Sequence, residues 1–238
     1  MATRFYPDPT NAPDVSPAYG NFWDDTTQAV RRKLELDTKG NNGSVSRSYT
    51  ETTTTSPYDA LLWQFVSEPL DAHASIGIAA SKIAFRCYED SAKADATLRF
   101  TWSKCDGDGS NRDWERSDTE DTEFDDAAYV NRYHTINMSQ SLSINQGDRL
   151  ILEVGVVFQN TKSDAYTGYI NVTDNHASTD LPENDTETTA YNSWAETGDT
   201  FTVASVSGWT GKVSGVDSTN IAKIMGVAIA DIAKVGGV

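Results

Sequence analysis

Apolar and polar side chains alternate along most of the chain. Between residues 27 and 207, short runs rich in Val, Ile, Thr, Tyr, Phe and Trp follow a period of two, and clusters of Gly, Asn, Asp and Pro separate them. This alternation is typical of β-strands, whose successive side chains point to opposite faces of a sheet. The pattern predicts about nine strands: Gln28–Asp37, Ser44–Thr54, Ala60–Val66, Ser81–Tyr88, Thr97–Lys104, Tyr133–Ile144, Arg149–Gln159, Tyr166–Thr173 and Thr200–Val206.

The most apolar run extends from Arg149 to Phe158 and predicts a central core strand. Arg149 and Glu153 fall on one face of that strand, since they are an even number of residues apart, and we expect them to pair with neighbouring strands. The segment 89–96 favours a short helical turn, and no long amphipathic helix precedes residue 218. The chain is therefore predicted to be all-β, with a β-sandwich or jelly-roll-like domain over residues 27–208.

The first 26 residues differ from this body. They contain four prolines, at positions 7, 9, 13 and 17, together with several aromatic side chains. Proline is excluded from helix interiors and from the middle of central strands. Residues 1–26 are thus predicted to form an extended arm, whose aromatic side chains lie against the chain's own body or against a neighbouring subunit.

The last residues, 209–238, form a third region in which one pattern occurs twice. The pattern I-A-K-[IV]-x-G-V spans residues 221–227 and then 232–238. Asp217 to Asn220 can cap a helix, but the glycines at 226, 236 and 237 would stop a long one. We expect short helical or turn pieces.

The tail is apolar and poor in polar groups, so it favours docking onto another protein over catalysis. The predicted assembly contacts are the Ile and Val side chains that recur in both copies: Ile221, Ile224, Val227, Ile232, Val235 and Val238.

The composition of the chain limits the kinds of molecule that it is expected to bind. The 238 residues include 19 basic and 35 acidic side chains, a formal net charge of −16 (19 − 35). Such a charge disfavours nucleic acid and anionic membranes. No apolar run approaches the roughly 20 residues that span a bilayer, and the N-terminus lacks an apolar signal region, so we expect neither membrane insertion nor export. Without export, Cys87 and Cys105 are expected to be free buried thiols, the alternative being a disulfide between two adjacent predicted strands.

One acidic loop offers candidate metal ligands. Asp106, Asp108, Ser110 and Asp113 supply oxygen atoms at close spacing, and the intervening glycines allow the loop to fold around a calcium ion. The spacing differs from that of an EF-hand, and Asp-Gly is also ordinary chemistry for a β-hairpin turn. Calcium is the one cofactor considered, and the turn is the favoured interpretation.

Aromatic residues near loops are candidate ligand contacts. Trp114, Trp194 and Trp209 could stack on the sugar rings of a glycan, although packing at sheet edges or subunit interfaces is favoured. Trp63 and Trp102 fall within strand patterns, which favours the core. The chain contains no G-x-S-x-G, H-E-x-x-H or P-loop motif, so no enzymatic activity is predicted.

Several short motifs resemble those of tailed-phage and prophage structural proteins: Phe65-Val-Ser-Glu-Pro-Leu70, Arg86-Cys-Tyr-Glu89, Gly147-Asp-Arg-Leu-Ile-Leu-Glu-Val-Gly155 and Thr179-Asp-Leu-Pro-Glu-Asn184. The I-A-K-[IV]-x-G-V tail is also similar to the ends of many phage virion proteins. The resemblance covers roughly residues 60–238. It implies a virion component with a β-sandwich domain, of the head decoration, head fibre, tail fibre or baseplate kind, and carries no catalytic motif.

These observations lead to three hypotheses. The first is a phage virion structural protein (capsid decoration, fibre or tail component), assembled in the host cytoplasm as a homo-oligomer and bound to other virion proteins. The alternative is a carbohydrate-binding β-sandwich module that attaches to host-surface glycans. The third, a polysaccharide-degrading enzyme, is the weakest because catalytic motifs are missing.

Overall fold

The chain divides into two compact units, Met1–Val203 and Ala204–Val238. A computed structural model describes residues 3–52, 57–71, 73–76, 81–136, 142–159, 164–175, 179–198, 200–203, 212–213, 216–217, 223–224 and 227–228. Within these residues there are strands and turns and no helix, which confirms the all-β prediction.

Thirteen strands are described in the first unit. In chain order they are β1 (Thr3–Pro7), β2 (Val30–Leu36), β3 (Asn41–Glu51), β4 (Tyr58–Ser67), β5 (His73–Ile76), β6 (Ser81–Glu89), β7 (Ala96–Cys105), β8 (Asp113–Thr119), β9 (Val130–Ile136), β10 (Leu142–Ile144), β11 (Arg149–Phe158), β12 (Tyr166–Asn175) and β13 (Trp194–Thr197).

Eleven of these strands form one continuous sheet in the order β3-β12-β6-β13-β1-β2-β4-β11-β7-β8, with β9 also paired to β6. The pair β2–β4 is parallel and the other pairs are antiparallel. The short strands β5 and β10 form a separate pair.

The sheet folds over so that its two halves pack face to face. Phe65 of β4 stacks on Phe85 of β6 with ring centroids 6.3 Å apart. Trp63 Nε1 of β4 donates a hydrogen bond to the Ile170 carbonyl of β12 at 3.5 Å. These contacts join β3, β12, β6 and β9 on one side to β2, β4, β11, β7 and β8 on the other, which is the predicted β-sandwich.

The core follows from the alternation along each strand. In β6, Ile83, Phe85 and Cys87 are buried in the core, while Arg86 on the opposite face is half-buried. Trp63 and Trp102, expected in the core, are fully buried there.

Strand β11 is buried along its whole length, as the apolar run predicted. It pairs with β4 on one side and with β7 on the other, so its backbone groups are satisfied within the sheet. Its inner face meets the core, and its outer face is covered by the N-terminal residues.

The predicted arm, residues 1–26, begins as part of the sheet. Strand β1 lies between β13 and β2, with Phe5 opposite both Ala195 and Leu36. The sequence pattern did not predict this strand because it contains Pro7. The proline occupies the last position of β1, so the backbone hydrogen bonds of the preceding residues are unaffected. Residues 8–25, which we call the strap, then cross the outer face of β4 and β11. Where described, the arm packs on the chain's own body.

Other strand predictions need correction. The segment predicted as one strand, Tyr133–Ile144, contains β9 and β10. Residues 89–96 form a turn in which the Ala94 amide donates to the Ser91 carbonyl at 2.8 Å, and no helical turn is present. Of the predicted strand Thr200–Val206, the described residues make a single bridge, between Val203 and Leu70.

The two cysteines are free and buried. They lie on β6 and β7, which are not neighbours in the sheet, in contrast to the adjacency assumed from the sequence. Burial raises the pKa of the Cys105 thiol to about 11, so it remains protonated near neutral pH.

The second unit is described at four short strands: β14 (Lys212–Val213), β15 (Val216–Asp217), β16 (Lys223–Ile224) and β17 (Val227–Ala228). They pair antiparallel as β14–β15 and β16–β17. Both pairs carry the pattern K-[IV]-x-G-V, so residues 212–216 are a further copy of the repeat, eleven residues before the copy at 223–227. The sequence predicted short helical or turn pieces here, whereas the described residues form short paired strands.

Candidate functional site

A buried carboxylate lies at the centre of the strap-covered face. Glu153 of β11 is fully buried and accepts hydrogen bonds from four residues. The donors are the Gly20 amide at 3.0 Å, Trp23 Nε1 at 2.8 Å, Gln64 Nε2 at 2.8 Å, and Arg112 through two guanidinium nitrogens at 2.6 and 2.9 Å. Because these donors occupy both oxygens, the carboxylate fastens the strap to the sheet and is closed to a substrate.

A second ion pair holds the strap closer to its N-terminal end. Both guanidinium ends of Arg149 bind the Asp14 carboxylate at 2.8 and 2.9 Å. Arg149 and Glu153 do share a face, but their charged partners lie in the strap and in the loop before β8, whereas neighbouring strands were expected to supply them.

Trp23 lies directly on the backbone of β11. A Cβ atom on Gly155 would come within 2.4 Å of the Trp23 ring and 2.2 Å of the Ala60 carbonyl oxygen. Glycine at this position is what allows the indole to reach Glu153. Among the described residues, the strap and the strand beneath it therefore fit closely together at Trp23, Gly155 and Glu153.

The outer face of the other half is different. Ser48 of β3, Tyr169 of β12 and Tyr88 of β6 stand opposite one another across three paired strands. Tyr129, just before β9, continues this row, because the neighbouring pair is Cys87 with Val130. The row follows from the strand period of two, which directs all four side chains away from the core.

The three tyrosine rings contact one another and are half-buried. Ring centroids are 5.3 Å apart for Tyr88 with Tyr129 and for Tyr88 with Tyr169, and 6.4 Å apart for Tyr129 with Tyr169. The Tyr129 hydroxyl lies 2.6 Å from Ser46 Oγ. Among the described residues, the hydroxyls of Tyr88 and Tyr169 have no hydrogen-bond partner.

Hydroxyl groups surround these rings. The outward positions of β3 are Ser44, Ser46, Ser48 and Thr50, and those of β12 are Thr167, Tyr169, Asn171 and Thr173. Thr50 and Thr167 are bonded at 3.0 Å, and Ser44 lies 3.2 Å from Thr173. These eight positions carry no charge. We call Ser46, Ser48, Thr50, Tyr88, Tyr129 and Tyr169 the tyrosine face.

A polar cleft of about 420 Å³ adjoins the tyrosine face at the sheet edge. It is lined by Asp25, Thr27, Gln28, Ser48, Tyr49 and Thr50. The Asp25 carboxylate accepts hydrogen bonds from the Thr27 amide at 2.6 Å and the Tyr49 hydroxyl at 3.0 Å. Although partial burial opposes it, these bonds hold the pKa of Asp25 below its ordinary value, so the group is an ionised acceptor.

The predicted calcium ligands lie in and beside the turn between β7 and β8. Asp108 Oδ1 accepts from the Ser110 amide at 2.9 Å and the Ser110 hydroxyl at 2.6 Å, and Asp106 Oδ2 accepts from Asn111 at 2.7 Å. Asp113 is the first residue of β8. Across the described residues, no three His, Cys, Asp or Glu side chains are grouped as a metal would require. Calcium binding by this loop stays a prediction.

The structure describes only one of the three tryptophan side chains that were considered as glycan contacts. Trp194 is 0% exposed and donates through Nε1 to the Leu181 carbonyl at 2.7 Å, so it packs in the interior and cannot stack on a glycan. Trp114 belongs to β8, but its side chain lies outside the described part of the structure. Trp209 lies outside the described residues altogether. Sequence reasoning missed Tyr88, Tyr129 and Tyr169. Their outward positions are visible in the alternation, but the strand pairing that unites them is not.

The predicted assembly residues are described in part. Ile224 and Val227 pair with each other in β16 and β17. Ile221, Ile232, Val235 and Val238 lie outside the described residues. In the described part of the chain, no helix is long and apolar enough to cross a membrane.

Comparisons with known proteins assign no family. No family model matches the chain, and no curated protein matches it in sequence. A chain in a structure of infectious bursal disease virus, Gx strain, is 10% identical with a TM-score of 0.30 over 77% of this chain and 40% of that one. Eiger TNF from S. frugiperda is 9% identical with a TM-score of 0.23, over 76% of this chain and 98% of its own.

A CocE/NonD family hydrolase from Staphylococcus aureus is 10% identical with a TM-score of 0.24, over 83% of this chain and 34% of that one. At such identities and TM-scores, these weak likenesses, the viral one included, carry no argument about function.

Proposed function

We propose that this protein is a structural subunit of a phage virion, of the capsid decoration, fibre or tail type, and that it acts through protein–protein assembly and has no catalytic role. The observation that carries the proposal is the C-terminal unit. Residues 204–238 are compact by themselves and repeat K-[IV]-x-G-V at 212–216, 223–227 and 234–238.

The composition of this unit supports docking. Its repeated apolar residues alternate with Gly, Ala and Ser, and the segment is too short to bury them in a large core of its own. Pairs of two-residue strands such as β16–β17 have little stability in isolation. Contact with another subunit, either a copy of this chain or another virion protein, would bury these side chains and stabilise the repeat.

The first experiment measures assembly of the purified full chain by light scattering and sedimentation. We expect a homo-oligomer, and we expect monomers when Ile221, Ile224, Val227, Ile232, Val235 and Val238 are replaced by serine. A matched control replaces Lys212, Lys223 and Lys234 by glutamine, which should leave the oligomer intact. A monomeric wild type, or serine variants that assemble normally, would contradict docking through the tail.

The second experiment tests the location. Particles purified from the host that carries the gene are analysed by mass spectrometry and immunogold electron microscopy. The wild-type chain should be a stoichiometric component of the particles, and the serine variant should be missing from them. Particles that contain no wild-type chain would exclude a virion role even if the protein oligomerises.

A further inference from the structure

The tyrosine face and the adjoining cleft together have the features of a ligand site. Ser48 lines the cleft and also stands opposite Tyr169 on the tyrosine face, so the two surfaces are continuous. One supplies flat aromatic rings, and the other supplies a polar recess with a carboxylate. Ligand sites commonly combine apolar contact area with a few fixed polar groups in this manner.

We infer that this surface binds an uncharged glycan, with a pyranose ring stacked on Tyr88 and Tyr169 and the next sugar in the cleft beside Asp25. The C–H face of a pyranose is apolar and matches the flat face of an aromatic ring. Its rim of hydroxyls both donates and accepts, which matches serine, threonine and tyrosine hydroxyls together with a carboxylate acceptor. The partner is thus specified by the chemistry of the surface.

Charge favours a neutral ligand. The chain carries a net charge of −16, which repels anionic polymers, whereas the outward positions of β3 and β12 carry no charge. Arg86 is a cation in contact with the rings, and its guanidinium lies 5.6 Å from the centre of the Tyr129 ring. It donates to the carbonyls of Tyr129 at 3.3 Å and Thr188 at 2.6 Å, so it is already engaged within the protein.

Local rigidity also suits a binding site. Tyr88 and Tyr169 project from the paired strands β6 and β12, and Tyr129 is fixed by its contact with Ser46. In the cleft, Asp25 is oriented by Thr27 and Tyr49. Groups held in this way lose little conformational freedom when a ligand binds, which favours affinity.

The test uses the full chain and a glycan array that includes neutral and sialylated or sulfated glycans, followed by calorimetry with the neutral series that binds. We expect binding to neutral glycans, at least tenfold weaker in Tyr88→Ala and Tyr169→Ala, since each removes a stacking ring. Tyr169→Trp should retain affinity because it keeps an aromatic plane. Phe22→Ala removes a strap ring that is 41% exposed and should leave affinity unchanged.

Hydrogen exchange on the wild-type chain gives a readout that does not depend on variants. Saturating glycan should protect amides in β3, in β12 and around Asp25, and leave residues 8–23 of the strap unaffected. The absence of any neutral binding at millimolar concentration, preference for anionic glycans, or equal binding by the alanine variants would each overturn the inference. If the alanine variants instead lower the oligomeric mass, the face is a subunit interface and the glycan site is excluded. The serine tail variant should bind glycan normally, which separates this site from assembly.

Discussion

The two outer faces of the sandwich use aromatic side chains in opposite ways. Over β4 and β11 the chain covers the sheet with its own strap, and Trp23 is buried against Gly155. On the other half, residues 181–188 cover Ala84 of β6 and contact Arg86, whereas Tyr88 and Tyr169 stay half-buried with their rings against one another. Aromatic content alone therefore does not indicate a ligand site. What distinguishes the two groups of rings is how far the same chain buries them.

Buried carboxyl groups show the same contrast. Glu153, under the strap, has an Arg112 partner and further donors, so it is satisfied as an anion. Glu89 is also fully buried, on the inner side of β6. It receives one amide hydrogen bond, from Ala96 at 3.0 Å, and lies beside the carboxyl of Glu123. Burial, with that second acid, raises the pKa of Glu89 to about 8. The strap-covered half therefore buries a carboxylate together with its arginine partner, whereas the half that contains β6 buries a carboxylic acid in its protonated form.

The largest expected loss of stability follows substitution of Glu153. Glu153→Gln leaves the Arg112 guanidinium, 7% exposed, without its counter-charge, and it disrupts the bonds to Gly20 and Trp23. Breaking a buried pair in this way costs about 3–5 kcal/mol. The measurement is the free energy of unfolding in urea. A loss below about 1 kcal/mol would mean that the strap is not held by this carboxylate.

A matched control for this variant is Glu68→Gln. The Lys33–Glu68 pair has a similar separation, 3.1 Å, but both side chains are about one-third exposed or more. Surface pairs of this kind contribute only about 0–1 kcal/mol. The control should therefore unfold close to the wild-type midpoint.

The next effect is at Gly155. Gly155→Ala places a methyl group against the Trp23 ring and the Ala60 carbonyl, and we expect a loss of about 1–3 kcal/mol. A double-mutant cycle with Trp23→Leu identifies the obstacle, because a smaller side chain leaves room for the methyl group. The two costs should then be less than additive. If the two losses of stability are strictly additive, the Trp23 ring is not the reason that residue 155 must be glycine.

The pattern of apolar and polar residues predicted the β-sandwich and its central strand, but it missed strands such as β8 and β1. The apolar run from Arg149 to Phe158 specified the central strand because burial on both faces leaves an unbroken pattern. Strand β8, with the sequence DWERSDT, escaped detection because an edge strand can carry charges on its exposed positions. Proline at the end of β1 hid that strand as well.

The candidate site was less predictable for a topological reason. Tyr88 and Tyr169 are 81 positions apart and meet because β12 pairs with β6 (169 − 88 = 81). Periodicity assigns each tyrosine to a face of its own strand, but it does not say which strands are neighbours. The long-range pairing, set by packing of the whole sheet, is what assembles the site.

The smallest effect is at Glu89, and it depends on pH. In the folded protein its pKa of about 8 exceeds the ordinary value of 4.5, so the folded state binds more protons between these values. Its stabilising contribution is complete below about pH 4.5 and is lost as the pH rises through 8. Glu89→Gln keeps an acceptor for Ala96 and cannot ionise, so it should match the wild type at pH 5 and exceed it by at least about 1 kcal/mol at pH 9.

The control for Glu89 is a carboxylate with the opposite shift. A hydrogen bond from Lys82 lowers the pKa of Glu183, so the contribution of Glu183 is present at neutral pH and lost as the pH falls through its folded value. Glu183→Gln should therefore differ from the wild type at pH 7 and converge with it in acid. Thermal unfolding of both variants from pH 3 to 9 measures the two trends. If the Glu89 variant differs from the wild type equally at pH 5 and pH 9, the buried acid ionises normally, and the contrast between the two carboxyl sites fails.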